Sequence, residues 1–225
     1  MRGDGQGSDG GARHVPVLTV AVGVPLSMAV TFAALRRSLP PRRAYDAGFA
    51  VYWLGWGLAY PLRVLGPRRA TRLLTTGRRP APGEAAMLLV PVVGAIVTEL
   101  VPARRLISPS VALVMVTTAA VNAASEELLW RGMFLEERDA MRGAVLPLLG
   151  FTLWHLAPQL VLPPRRGRLG FIVGSALVGA ASTHVARRTG GLRAAVVAHF
   201  LTDACGVGAA RFRLGLPSAP PDRTT

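Results

Sequence analysis

Apolar residues gather along this chain in seven long runs, at 15–35, 45–66, 86–103, 107–124, 143–162, 169–187 and 192–210, each closing near Arg, Pro or Gly. A helix needs ~20 mostly apolar residues to cross a hydrocarbon core, so each run is of spanning length. The pattern changes at 125–140, which is less apolar and more amphipathic. It reads as a helix partly inside a bundle, extending or following the fourth span. The expectation is an all-α, polytopic transmembrane helix bundle of about seven to eight helices, with no independent soluble domain. Small-residue runs, TTAAVNAAS at the fourth span and GSALVGAAS in the sixth, suit close helix packing in lipid. The ends MRGDGQGSDGGAR (1–13) and PSAPPDRTT (217–225) have the composition of disordered segments. The first run is long for a signal peptide and lacks a small-residue cleavage site, so a retained helix is expected there.

Composition agrees with a membrane setting. The chain is 51% hydrophobic with only 17% charged residues, against ~25% charged in an ordinary soluble domain, and its mean hydropathy is +0.38. The net charge of +14 raises nucleic acid as a partner. The arginines instead come as short clusters between apolar runs: Arg36 and Arg37 with Arg42 and Arg43, then Arg68 and Arg69, Arg78 and Arg79, Arg104 and Arg105, Arg165 and Arg166, Arg187 and Arg188. That arrangement flanks membrane spans and meets anionic headgroups, so membrane lipid, and no nucleic acid, is the expected partner. The single cysteine, Cys205, allows no intrachain disulfide and reads as a small buried thiol.

Ionised side chains are costly near a bilayer, so the acids and histidines inside the apolar runs carry most of the information. In NAASEELLWRGMFLEER (122–138), Glu127 and Arg131 stand four apart on one helix face, where they can form an ion pair. Glu126 is rotated by ~100° from Glu127, so it falls off that face and is expected to stay free. Glu136, Glu137, Arg138 and Asp139 read as a solvated face, and Glu99 as a structural partner of Arg104 or Arg105. His14 lies at the entrance to the first run, while His155, His184 and His199 lie within runs. FTLWH sets Phe151 and His155 on one face, and HFLTD sets His199 and Asp203 on one face. Two such histidines on separate helices, with a glutamate pair on a third, are tolerable only if all face one polar cavity. His184, beside Ser182, Thr183 and Arg187, reads as structural.

EELLWR (126–131), FTLWH (151–155) and HFLTD (199–203), in that order, resemble the three motifs of the CPBP family. These are the CAAX proteases and bacteriocin-processing enzymes, also called Abi, which include the type II prenyl endopeptidases. Their pattern is EExxxR, FxxxH, then HxxxN or HxxxD. The Gly-containing turn of RTGGLRAAVVAHFLTD shares the family's look, and the resemblance covers roughly 85 to 210. It divides the chain into a tail at 1–14, N-terminal transmembrane helices at 15–84, a CPBP-like catalytic membrane domain at 85–212 and a tail at 213–225.

The resemblance implies a glutamate-dependent intramembrane endopeptidase acting on a membrane-associated protein or peptide. The apolar runs make it multi-pass, and basic residues that are all Arg and never Lys suggest a bacterial cell membrane. By that likeness Glu126 and His155 bind and activate the attacking water. Glu127, held by Arg131, shapes and charge-balances the site, and His199 with Asp203 stabilises the oxyanion. The residue types suit this chemistry, since burial moves a carboxylate toward a general base's working range and strengthens a donor aimed at an oxyanion. Asp203 departs from the prenyl-endopeptidase version of the pattern, where an asparagine amide donates; an ionised aspartate only accepts, and would instead favour a protonated His199. No cofactor is expected under this reading. The alternative enzyme is a zinc protease using Glu126, His155 and His199 with an open position for water, although no HExxH occurs. A non-catalytic membrane immunity or scaffold protein is the reading outside enzymology, and a transporter is disfavoured by the missing internal repeat.

Overall fold

The computed structural model describes residues 17–162 and 168–217; the expected disordered tail at 1–14, with His14, and nearly all of that at 217–225 lie outside them. Among the described residues the chain is all-helical, with no strand and nine helices. They are α1 (Thr19–Ser38), α2 (41–65), α3 (Pro67–Thr75), α4 (Pro82–Leu106), α5 (Pro109–Trp130), α6 (141–154), α7 (Arg168–Thr189), α8 (Arg193–Asp203) and α9 (Val207–Leu214). Two short helices, α3 and α9, account for the excess over seven.

Proline and glycine set the boundaries. Proline opens α2, α3, α4 and α5, where its missing N–H costs nothing because the first helical turn has no carbonyl to receive it. Gly66, at φ 78°, turns the chain between α2 and α3 in a conformation that a side chain would oppose. Ser108 caps α5 by accepting from the Val111 N–H at 3.3 Å, and Glu84 reaches back to the Ala81 N–H at 2.8 Å to cap α4.

Four helices are long and apolar enough to cross a membrane: Thr19–Ser38, Pro82–Leu106, Pro109–Phe134 and Arg168–Thr189. The extension expected beyond the fourth span is present, since α5 continues to Trp130 and a 3-10 turn carries on to Phe134. Two of the expected runs are shorter as helices. The run 143–162 is helical only to Trp154, after which Pro158 opens a 3-10 turn. The run 192–210 breaks after Asp203, where the Cys205 and Gly206 N–H groups turn back to Thr202 and Asp203 carbonyls. At ~1.5 Å per residue α6 and α8 rise only ~21 and ~16 Å, against a core of ~30 Å, so both end inside the bundle.

The bundle closes on an aromatic core. Phe32, Tyr52, Trp130, Phe134, Phe151 and Trp154 are all fully buried, and Tyr52 stacks on Trp154 with ring centroids 3.7 Å apart. The Tyr52–Ala59 stretch of α2 is π-helical. Such wide turns shift side-chain phase, and here the successive Tyr52 and Trp53 both hydrogen-bond to α5. Gly57 lets α2 approach α5 immediately beside the glutamate pair: a Cβ there would stand 2.6 Å from the Ser125 Cβ. Gly57→Ala is therefore expected to lower stability by about 1–3 kcal/mol through overpacking. Gly94→Ala, on α4 with nothing within 4 Å of its Cβ, should leave it unchanged or raised. Equal thermal midpoints of the two variants in detergent would refute this account of Gly57.

Candidate active site

The last turns of α5, the end of α6 and the second half of α8 bring the three motifs together. The ion pair expected from the i, i+4 spacing is present, with Arg131 Nη1 3.2 Å from Glu127 Oε1 and both side chains buried. The guanidinium also lies 4.1 Å from the centroid of the Phe151 ring, a cation–π contact, while neither Nη atom has a hydrogen-bond partner among the described residues.

His199 stands at the centre of three carboxylates. Its Nδ1 is 2.8 Å from Glu127 Oε1, while its Nε2 is 3.5 Å from both Glu126 Oε2 and Asp203 Oδ2. The expectation that Glu126 stays free of partners needs correction. The ~100° rotation between adjacent residues does separate the two side chains on α5, but α8 packs against that edge and His199 reaches both acids. Glu126 Oε1 also accepts from Trp154 Nε1 at 2.8 Å. Tyr52 is fully buried on the same side, its hydroxyl accepting from Trp130 Nε1 at 2.8 Å and its ring stacked on Trp154. Glu126 Oε2 meets no protein donor in hydrogen-bond geometry despite being buried. A buried carboxylate oxygen in that state has a lone pair left for a water or a substrate group.

Asp203 is held from a second direction. Asn122 Nδ2 donates to Asp203 Oδ2 at 2.8 Å, and the Asn122 carbonyl accepts from Trp53 Nε1 at 2.8 Å. The chain of contacts Trp53–Asn122–Asp203–His199 thus spans α2, α5 and α8. Where Glu126, Glu127 and His199 are sealed, the Asp203 side chain is 27% exposed, which opens this end of the cluster. Trp53, at the far end of that chain of contacts, lines a cavity of about 420 Å³ with Asp46, Thr117, Thr118 and Arg213. Arg213 is bound there to Asp46 at 2.6 Å and Thr118 at 2.8 Å.

His155 caps the end of α6 and is half-buried. Its Nδ1 is 2.7 Å from the Phe151 carbonyl. A carbonyl can only accept, so Nδ1 carries the proton and Nε2 is left with the lone pair. Phe151 links the two histidines, with ring centroids 4.6 Å from His155 and 6.0 Å from His199.

A family model described as type II CAAX prenyl endopeptidase Rce1-like matches residues 108–205. The resemblance drawn from the three motifs holds there. The Rce1-like segment begins one residue before α5 and ends just past α8, so it contains every motif residue, and with its long apolar helices it makes the chain an integral membrane protein. Neither the curated proteins nor the solved structures gave a match.

The remaining sequence expectations fall outside the cluster. His184 is exposed on α7, with no hydrogen bond or ion pair to the site. Glu136 pairs with Arg69 at 2.6 Å and Glu137 with Arg142 at 3.4 Å, on the solvated side. The pairing expected for Glu99 is absent: it is exposed, no ion pair forms with it among the described residues, and Arg104 instead turns to the Val101 carbonyl at 2.8 Å. Cys205 is buried as expected. Among the described residues no group of three or more His, Cys, Asp or Glu side chains is placed to hold a metal ion. Tyr52, Trp53 and Trp154 were not legible as site residues. The indole beside His155 inside FTLWH was the available signal, because a buried Trp N–H must find an acceptor.

Proposed function

We propose that the chain is a multi-pass intramembrane endopeptidase that hydrolyses a peptide bond of a membrane-associated protein or peptide with water activated by Glu126 and His155. The observation that carries this reading is Glu126: a sealed carboxylate with one oxygen fixed by Trp154 and the other turned, without a protein donor, toward His199. In this reading Glu126 Oε2 takes a proton from the water as it attacks, and His155 Nε2 holds the same water by its lone pair. The proton then passes to the leaving amine.

Charge balance assigns the rest. Three carboxylates, Glu126, Glu127 and Asp203, face one guanidinium and one imidazole. With His199 as imidazolium the cluster carries one negative charge, which a proton gained by Glu126 removes. His199 then donates from Nε2 to the oxyanion, with Glu127 and Asp203 holding the ring and its charge in place. Arg131 keeps Glu127 ionised and positioned, and takes no part in the proton transfer. The cleft at Asp46, Trp53 and Arg213 offers the substrate backbone a polar approach to the Asp203 end, and the membrane of a bacterial cell is the setting proposed.

The test is cleavage of a fluorogenic peptide panel by the purified protein in detergent. Activity should persist in excess EDTA and 1,10-phenanthroline. Loss on chelation, with recovery on added zinc, would overturn the glutamate mechanism in favour of a metal one. No cleavage by the wild-type protein of any prenylated or unprenylated peptide, in detergent or in vesicles, would favour the non-catalytic reading.

A further inference from the structure

A second feature lies on the other face of the helix that carries His199. α4 and α8 start at the same end of the bundle and run side by side, leaving a groove of about 360 Å³ between them. Its walls are apolar, with Leu89 and Val92 from α4 and Val197 and Leu201 from α8, and Pro80 with Arg193 at its upper end. Leu89, Val197 and Leu201 are 53%, 53% and 42% exposed, so no protein segment covers them. From residue 193 to 201 the α8 wall runs ~12 Å, enough for a stretch of one hydrocarbon chain.

The upper end is cationic. Arg78 makes a bidentate pair with Glu84 at 2.6 and 2.9 Å, and Arg188 stands 3.5 Å from the same carboxylate. Arg193 donates to the Gly77 carbonyl at 3.2 Å and is exposed. Two guanidiniums therefore share the Glu84 carboxylate, and a third, Arg193, lines the groove itself with no carboxylate of its own among the described residues. They sit where α4, a helix of spanning length and apolarity, begins, which is the depth of lipid headgroups. A zwitterionic headgroup would bring its own cation to this cluster. A phosphate without one would satisfy it, and arginine's fork of donors suits phosphate oxygens.

We propose that the α4–α8 groove binds an anionic phospholipid, one acyl chain lying between Leu89, Val92, Val197 and Leu201 and the phosphate resting on Arg193 with Arg78 and Arg188 beside it. Ala198, in the groove wall, precedes His199, so the bound chain lies along the back of the helix that presents the imidazole. The proposal stands independently of whether the site is catalytic.

Native mass spectrometry of the purified protein, titrated with phosphatidylglycerol and phosphatidylcholine of identical acyl chains, tests it. Phosphatidylglycerol should be retained at least tenfold more tightly. Arg193→Gln should bring it to the phosphatidylcholine level, and Val197→Trp or Leu89→Trp, each filling the groove, should weaken both lipids. Arg36→Gln on α1 should change nothing, and glycerol 3-phosphate should not compete. Equal retention of the two lipids overturns the proposal. So does unchanged phosphatidylglycerol binding in Arg193→Gln or in both tryptophan variants, or full competition by glycerol 3-phosphate, which would reduce the site to a headgroup contact. Far-ultraviolet melts of each variant separate lost binding from lost fold.

Discussion

Arg131→Ala should be the most destabilising single substitution in the site, costing about 3–5 kcal/mol. The guanidinium is 2% exposed and its partner carboxylate 0%, so removing it leaves Glu127 with His199, at 2.8 Å, as its remaining ion-pair partner and strands one further negative charge in the buried cluster. Arg131 also covers the Phe151 ring at 4.1 Å, and truncation would open a void beside Gly179, whose hypothetical Cβ lies 3.3 Å from Arg131 Nη2. Expression in membranes and the thermal midpoint in detergent should both fall, with activity lost as a consequence. Adding Glu127→Gln should recover much of the midpoint, because the stranded charge is then gone, without recovering activity. An Arg131→Ala protein that is as stable as wild type would show that the pair is hydrated and that Glu127 needs no cation.

Glu126→Gln is expected to do the opposite, with cleavage reduced by about 10²–10⁴-fold and stability nearly intact. A glutamine keeps the shape and the oxygen that accepts from Trp154 Nε1 at 2.8 Å, so the buried indole stays satisfied. What it removes is the capacity to take a proton from water. The contrast between these two variants decides which acid does the chemistry. Should Glu126→Gln unfold the protein while Arg131→Ala stays folded and active, the roles of Glu126 and Glu127 are reversed.

The two acids also show where reading along the chain stops. Helical spacing is a statement about one helix. It placed Arg131 on Glu127 correctly, since that contact lies within α5. It left Glu126 unpartnered because both of its neighbours come from elsewhere: Trp154 from α6 and His199 from α8. The same limit explains Glu99. Two arginines five and six residues away looked like partners, yet α4 points Glu99 outward and Arg104 is taken by a backbone carbonyl. Run length was similarly incomplete. The apolar stretch 192–210 has the length of a span, but the turn at Cys205 and Gly206 ends α8 at Asp203. Apolarity is needed both to face lipid and to fill a bundle interior, so hydropathy does not separate a crossing helix from a buried short one.

The sequence by itself determined the helical class, the membrane setting and the three motifs, because each rests on local periodicity, composition or spacing within one helix. It also determined the Glu127–Arg131 pair, for the same reason. Only the tertiary structure decided that His199 reaches both glutamates, that Trp154 fixes Glu126, and that Trp53 and Asn122 hold Asp203. Those contacts join residues 28 to 81 positions apart along the chain. They come from which helix faces pack together, and no repeat of 3.6 residues encodes that choice.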